Sequence, residues 1–208
     1  MSFSPPAVGV VEVTEVADAL RYGWITTGPR VAQFEREFAE MVGAEAALGV
    51  SSGTDAMQVG LAALGVGTGD VVLTTPMTFC SSVHVIEHVG AKPVLVDVEP
   101  DTLCIDPEKV VAAVSARTKA ILPVHLYGHP CDMGALLEIA AEHELHIIED
   151  AAHSVPAAWD GRPIGSIGDV TAFSVYATKN RTTAEGGMLT GSKELVKRAR
   201  PWALHGMS

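Results

Sequence analysis

Short apolar runs rich in β-forming residues recur along this chain, and their rhythm constrains the fold more than any other feature. They are spaced by about 25 residues and begin near residues 71, 93, 120, 145 and 170. Helix-patterned segments lie between them at 81–89, 107–114 and 133–143. Strand–helix–strand units of this length build a parallel sheet with right-handed crossovers and helices on its faces. The sequence therefore predicts an α/β protein, a three-layer α/β/α fold with a mostly parallel central sheet.

The segment before this rhythm has a different pattern. Apolar residues recur at helical spacing over 10–21 and again over 31–42, with the loop 23–29 between them. Trp24 in this loop is either a contact for a ligand or subunit or a side chain folded back on its own core. We predict an N-terminal helix and loop segment over 1–30 and a large domain over 31–208.

Composition excludes several classes of function. The formal net charge of −11 is unsuited to a protein that neutralises nucleic-acid phosphates. Three widely spaced cysteines without a CxxC pair favour a reducing compartment. No apolar run approaches the ~18 residues of a membrane span, and no signal peptide pattern is present. We therefore expect a cytoplasmic protein that binds neither nucleic acid nor membrane.

A single lysine, Lys179, follows the predicted strand 170–175 in a polar loop that ends at Gly186 and Gly187. Ser174 lies on the same strand, five residues earlier. The carboxyl edge of an open α/β sheet is where ligands bind. Lys179 is therefore either a solvated loop cation or an amine held for covalent chemistry.

The apolar strand near residue 145 ends in Asp150, with His153 three residues later. An unpaired buried carboxylate is costly, so Asp150 needs a partner. The partner is either the start of a helix, which Asp150 would cap, or a protonated ring nitrogen on a cofactor. His153 either orients the carboxylate or is a satisfied core histidine.

Residues 46–56 read as a strand that turns through Ser-Ser-Gly into a helix. Small residues at Gly53 and Thr54 and the unpartnered N–H groups of the first turn suit a phosphate. Ordinary capping of the helix by a hydroxyl is the alternative.

The same turn also spells G-x-S-x-G, the nucleophile elbow of α/β hydrolases. In that alternative Ser51 is the nucleophile, Asp150 is the acid, and His153 or His205 is the base. It leaves Lys179 and the Gly-Gly loop unexplained.

Phe79 follows another strand and opens a helix, where it either stacks on a planar ring or packs in the core. A lysine amine, a buried carboxylate, a helix-start phosphate site and an aromatic stacking partner are together the requirements of one cofactor, pyridoxal phosphate. The residues predict that cofactor at this edge of the sheet.

Two histidine pairs have the spacing of metal ligands on a helix: His84 with His88, and His125 with His129. A third ligand does not clearly join either pair. We therefore predict no metal site, with these histidines either solvent-facing or in the core.

Several motifs resemble, in order, those of the nucleotide-sugar aminotransferases of the DegT/DnrJ/EryC1/StrS family. They are VSSGTDA at 50–56, TPMTF at 75–79, EDAAH at 149–153, FSVYATKN at 173–180 and TAEGG at 183–187, and the loop GWITTGP at 23–29 also matches. The similarity covers nearly the whole chain, and the aspartate and lysine motifs are highly specific. It implies a fold type I enzyme with an aspartate-aminotransferase-like large domain.

The resemblance also implies roles for individual residues. Lys179 would form the imine with pyridoxal phosphate and carry protons, Asp150 would pair with the pyridine nitrogen, and Phe79 would stack on the ring. His153 would lie near the ring hydroxyl. The positions that match those holding the phosphate are Gly53, Thr54 and Ser174.

The implied reaction moves an amino group, usually from glutamate, to a keto carbon of a nucleotide-linked sugar in a homodimer whose partner subunit completes the site. Family members continue into a smaller second domain, and this chain ends where that domain is expected. A truncated cofactor-binding or scaffold protein without turnover is therefore the alternative.

Overall fold

The computed structural model describes residues 6–204 and 206. Seven α-helices lie within this part of the chain: α1 (Val10–Tyr22), α2 (Pro29–Val42), α3 (Gly53–Ala63), α4 (Ser81–His88), α5 (Pro107–Ala113), α6 (Met133–His143) and α7 (Lys193–Ala203). The strands are β1 (Ala46–Val50), β2 (Val71–Thr74), β3 (Lys92–Leu95), β4 (Thr118–Ile121), β5 (His146–Asp150), β6 (Ala158–Trp159), β7 (Arg162–Pro163), β8 (Val170–Ser174) and β9 (Gly187–Gly191).

Seven of these strands form one sheet in the order β1-β9-β8-β5-β4-β2-β3. The pairs β2–β3, β2–β4, β4–β5 and β5–β8 are parallel, while β9 runs antiparallel to both β1 and β8. Strands β6 and β7 make a separate short hairpin. The predicted fold class, a mostly parallel α/β sheet, is confirmed. Strands β2, β4, β5 and β8 end at the same edge, which is where open α/β sheets bind ligands.

Successive side chains of each strand face opposite sides of the sheet, which produces two cores. In β5, Ile147 belongs to one cluster with Phe38 of α2 and Leu136 of α6. Its neighbour Ile148 belongs to the other cluster with Ile86 of α4. Burying one such aliphatic side chain contributes about 1.5–3 kcal/mol. The continuous apolar runs in the sequence therefore reflect strands covered by helices on both faces.

Strand β9 is the sheet element that the sequence did not predict. A strand that begins at Gly187 and ends at Gly191 has poor intrinsic β-propensity, because glycine loses more backbone freedom than other residues. Tertiary structure overrides that preference, since β9 pairs along both edges, with β1 and with β8. A Cβ on Gly187 would lie 2.2 Å from the carbonyl of Ser52, so the close approach requires glycine here.

The N-terminal part of the chain packs loosely. The residues of α1 are exposed or half-exposed along its length. Trp24 is 59% exposed, and its indole N–H donates to the carbonyl of Thr27 at 3.0 Å, so its ring is not folded into a core. The predicted division at residues 30 and 31 stays a prediction. Among the described residues, no helix has both the length and the apolar character that crossing a membrane requires.

Candidate active site

A cavity of about 710 Å³ opens at the carboxyl edge of the sheet. Its size is within the ordinary range for a small-molecule site. Its lining includes all seven residues predicted from sequence as site residues: Gly53, Thr54, Phe79, Asp150, His153, Ser174 and Lys179. The structure therefore brings together groups that lie up to 126 residues apart in the chain, the separation of Gly53 and Lys179 (179 − 53).

Lys179 is held in a turn just beyond β8. Its backbone N–H donates to the carbonyl of Tyr176 at 2.9 Å. The next residue, Asn180, donates from Nδ2 to the carbonyls of His153 (3.2 Å) and Val155 (2.8 Å). These bonds attach the lysine turn to the segment that follows β5. Because these bonds fix the backbone on both sides of Lys179, its amine reaches the cavity from a defined position.

The amine of Lys179 contacts an imidazole. Lys179 Nζ lies 2.7 Å from His153 Nε2. Burial lowers the pKa of Lys179, and the carboxylate of Asp150 opposes that shift. Burial also lowers the pKa of His153, the nearby charge of Lys179 lowers it further, and Asp150 opposes both. Both bases are therefore easier to deprotonate than free lysine or histidine.

Asp150 ends β5 and is 5% exposed. Its Oδ2 accepts a hydrogen bond from Ser82 Oγ at 2.7 Å, and its Oδ1 accepts from the backbone N–H of Ala152 at 3.2 Å. Turns follow β5 where a capped helix would have begun, so the helix-cap interpretation of Asp150 is wrong. Among the described residues no cation forms an ion pair with this carboxylate. The site therefore presents a buried anion toward the cavity.

Helix α3 begins at the wall of the cavity. Ser52 caps it, with its hydroxyl accepting from the N–H of Asp55 at 3.0 Å. The first-turn N–H groups of Gly53 and Thr54 have no partner within the helix, and the helix dipole favours an anion there. A Cβ on Gly53 would lie 3.0 Å from Ser174 Cβ, so glycine allows β8 to approach. The helix start is thus both capped and suited to a phosphate.

Within the described part of the chain, Ser51 is not part of a catalytic triad. Its hydroxyl donates to the carboxylate of Asp55 at 3.1 Å, within its own turn. His153, proposed as the base in that alternative, is paired with Lys179. His205 lies outside the described residues. The described geometry gives the hydrolase alternative no support.

Phe79 lies at the mouth of the cavity and is 75% exposed. The alternative that it packs in the core is therefore wrong. An aromatic side chain left exposed beside a cavity has a free face with which to contact a planar ligand.

The sequence did not identify three residues that contribute to this site. Ser82 bonds to Asp150, Asn180 fixes the lysine turn, and Tyr127 packs its ring edge-on to His153 with the centroids 6.3 Å apart. Asn180 and Tyr127 each had a weak signal, because both follow a strand at the carboxyl edge. Ser82 also follows a strand, but no local pattern shows that its hydroxyl meets Asp150.

The two histidine pairs serve different purposes. His125 is buried, accepts the N–H of Cys131 at Nδ1 and therefore donates from Nε2 to Glu149 at 2.9 Å. It is a satisfied core histidine. His88 bonds instead to Gln58. Among the described residues, no group of three or more potential ligands is placed to hold a metal ion.

Comparison with known proteins identifies relatives. The family model of the DegT/DnrJ/EryC1/StrS aminotransferase family matches residues 7–208. The spore coat polysaccharide biosynthesis protein SpsC of Bacillus subtilis is 51% identical over 209 residues, an alignment that covers 100% of this chain and 54% of SpsC. The chain thus spans about half the length of the curated relatives it matches.

Solved structures agree with this match. Spr1654 of Streptococcus pneumoniae, provisionally assigned as a sugar aminotransferase and solved in a PLP-form, superposes with a TM-score of 0.96 at 37% identity, covering 100% of this chain and 59% of that one. DesI, solved in the presence of its TDP-sugar product, has a TM-score of 0.89 at 36% identity, covering 95% of this chain and 51% of its own.

Proposed function

The chain belongs to the DegT/DnrJ/EryC1/StrS aminotransferase family, and on that premise we propose that it binds pyridoxal phosphate and acts in amino-group transfer to a sugar. One observation carries the proposal. The amine of Lys179 and the buried carboxylate of Asp150 line a single cavity that also includes the start of α3. An amine, an anion and a helix start are the groups that must meet around this cofactor.

The residues fit the cofactor on structural grounds. Asp150 is a buried carboxylate that has hydroxyl and amide donors but no cationic partner among the described residues. A protonated ring nitrogen would supply the missing cation and offset the cost of burying the charge. Gly53 and Thr54 present N–H groups at a helix start, which suits the phosphate. Phe79 is exposed at the mouth, where it is free to stack on the ring.

Each residue then has a defined task. Pyridoxal phosphate supplies an electron-withdrawing ring that stabilises negative charge on the carbon from which a proton is removed. Lys179 would hold the cofactor through its Nζ, and the same amine is placed to carry the proton. Asp150 would pair with the protonated ring nitrogen. His153, with Nε2 at 2.7 Å from Lys179 Nζ, would orient the amine.

We extend the proposal to a nucleotide-linked sugar as acceptor, glutamate as donor and a homodimer as the working unit. The solved DesI structure with a TDP-sugar supports the first assignment. The dimer is supported by the open mouth of the cavity, where Tyr127 is 81% exposed. A second subunit would cover this side chain.

The test is direct chemical trapping. The chain is mixed with pyridoxal phosphate, its visible absorption band is recorded, and the complex is reduced with borohydride and digested. We expect the band to disappear on reduction and the label to be found on the peptide containing Lys179. Lys179→Ala should abolish trapping, while Lys92→Ala should retain it, because Lys92 is exposed on β3, far along the sheet order from β8.

A label on Lys92 or Lys119 in place of Lys179 would refute the assignment. Glutamate should next convert the bound cofactor to its amine form, which shifts the absorption band. A chain that traps the cofactor on Lys179 but does not respond to glutamate would be a binding protein without turnover.

A further inference from the structure

We propose that Ser82 is a positioning residue that aims the carboxylate of Asp150 at the ring nitrogen of the bound cofactor. This inference rests on the proposed function and adds a residue to it. Ser82 is fully buried in the first turn of α4, and its Oγ lies 2.7 Å from Asp150 Oδ2. The sheet order places β4 between β2, which leads toward α4, and β5, which carries Asp150.

The carboxylate fixes the direction of this hydrogen bond, and the direction in turn assigns the role of a third group, Thr78. Thr78 Oγ1 lies 2.7 Å from Ser82 Oγ. An ionised carboxylate accepts hydrogen bonds and cannot donate them. Ser82 therefore gives its single proton to Asp150, and its oxygen accepts the proton of Thr78. The carbonyl of Phe79, at 3.2 Å from Ser82 Oγ, is the more distant acceptor.

Two donors fix the plane of the Asp150 carboxylate. Ser82 holds Oδ2, and the N–H of Ala152 holds Oδ1 at the longer distance of 3.2 Å. Without Ser82 the carboxylate keeps only the weaker of the two contacts and can turn about its χ2 torsion, which is broad and roughly two-fold. A turned carboxylate meets the ring nitrogen with poor geometry, and a charge-assisted hydrogen bond depends on that geometry.

The experiment must distinguish positioning of the Asp150 carboxylate by Ser82 from a purely structural role of Ser82 in holding α4 in place. Binding of two probes is measured by titration of the full chain: pyridoxal phosphate, and its 1-deaza analogue, in which a C–H replaces the ring nitrogen. A positioning role acts only through that nitrogen. A structural role affects both probes alike.

We expect Ser82→Ala to weaken binding of pyridoxal phosphate by about tenfold, the scale of one hydrogen bond to a charged group. Its affinity for the deaza analogue should equal that of the unaltered chain. Ser82→Thr, which keeps the hydroxyl, should restore pyridoxal phosphate binding to within about twofold.

Ser154→Ala is the matched control. Ser154 is also a buried serine, but its Oγ has no hydrogen-bond partner within the described part of the chain. Its replacement should leave the ratio of the two affinities unchanged. If Ser82→Ala does not fold, Thr78→Val provides the second test, since it leaves Ser82 in place but removes the hydrogen bond that Ser82 accepts and that polarises its hydroxyl toward Asp150. Thr78→Val should reduce the ratio of the affinity for pyridoxal phosphate to the affinity for the deaza analogue by about threefold.

The outcomes are distinct. Equal weakening of both probes by Ser82→Ala, or no weakening of either, overturns the role of Ser82 and leaves the proposed function intact. Failure of the unaltered chain to bind pyridoxal phosphate overturns the proposed function and this inference with it.

Discussion

Lys179 Nζ and His153 Nε2 lie 2.7 Å apart, although 26 residues separate them in the chain. Burial is the main cause that lowers the pKa of each group. Two protonated groups at this distance would repel one another in a partly desolvated site. The pair therefore disfavours the state in which both groups are protonated, because each lowers the cost of deprotonating the other.

Removing the charge of Lys179 should raise the pKa of His153. Lys179→Met deletes the positive charge that lowers this pKa and leaves the Asp150 carboxylate that raises it. NMR titration of the histidine ring protons measures the shift, with the solvent-facing His143 as internal reference. A His153 pKa that stays constant or falls would mean that the two groups do not interact.

The reaction of Lys179 with pyridoxal phosphate should persist to lower pH than that of exposed lysines. Only the uncharged amine reacts, and burial lowers the pKa of Lys179, so its reactive fraction exceeds that of an ordinary lysine below pH 10 or so. Borohydride trapping at a series of pH values, followed by peptide mapping, gives the ratio of label on Lys179 to label on Lys92. The ratio should rise as the pH falls; a constant ratio would contradict the expectation.

Replacing Asp150 with asparagine should strongly impair amino-group transfer. The change keeps the shape of the side chain and removes the charge that the ring nitrogen requires, and losing one such preorganised group costs about 10²–10³ in rate. The rate at which glutamate converts the bound cofactor measures the loss. Asp101→Asn, a change at an exposed aspartate, should leave the rate unaltered. A near-normal rate in the Asp150 variant would remove this carboxylate from the mechanism.

A methyl group at residue 187 should destabilise the fold. In Gly187→Ala the new Cβ would lie 2.2 Å from the Ser52 carbonyl and 2.7 Å from the Gly53 nitrogen. These backbone atoms cannot move aside without shifting β9 or α3, so we expect a loss of about 1–3 kcal/mol in the free energy of unfolding. Urea denaturation measures it. Gly67→Ala, whose nearest neighbour atom would be at 3.7 Å, is the control and should be close to neutral.

The ion pair between Arg200 and Glu35 should contribute measurably to stability. Glu35 is 8% exposed, accepts from Arg200 Nη2 at 3.0 Å and also accepts the N–H of Gly49 at 2.9 Å, which joins α7, α2 and β1. Arg200→Ala leaves a nearly buried carboxylate without its cation, so about 1–2 kcal/mol should be lost after allowing for the exposure of the arginine. Lys109→Ala breaks ion pairs with Asp97 and Asp106 at a lysine side chain that is 47% exposed, and it should cost clearly less stability than Arg200→Ala. Equal effects of both changes would refute the distinction.

Much of the architecture was predictable because its signals are local. Helix α6 (Met133–His143) has the bounds that periodicity predicts, and β8 (Val170–Ser174) begins at the predicted residue. Helix α2 starts two residues before its predicted start, at Pro29, because proline is favoured in a first helical turn. Hydrophobic periodicity depends only on residues that are close in sequence, so it predicts a helix or strand without knowledge of how the rest of the chain folds.

The candidate site was predictable only to the level of which residues share an edge. Parallel strands bring their carboxyl ends together, so Asp150 and Lys179 were expected near one another from strand position alone. Whether Phe79 was core or exposed, and whether Asp150 capped a helix, depended on packing that no local pattern records. The structure resolved both points, with Phe79 exposed and turns following Asp150.

By itself the amino-acid sequence determined the helices, the parallel strands and the edge at which chemistry is assembled, because burial on both sheet faces imposes a readable apolar rhythm. Tertiary structure alone decided that β9 enters the sheet between β1 and β8, that Ser82 donates to Asp150, and that Lys179 meets His153. These contacts depend on strand order and on directional hydrogen bonds between distant residues. They stabilise the protein only after folding has brought these residues together.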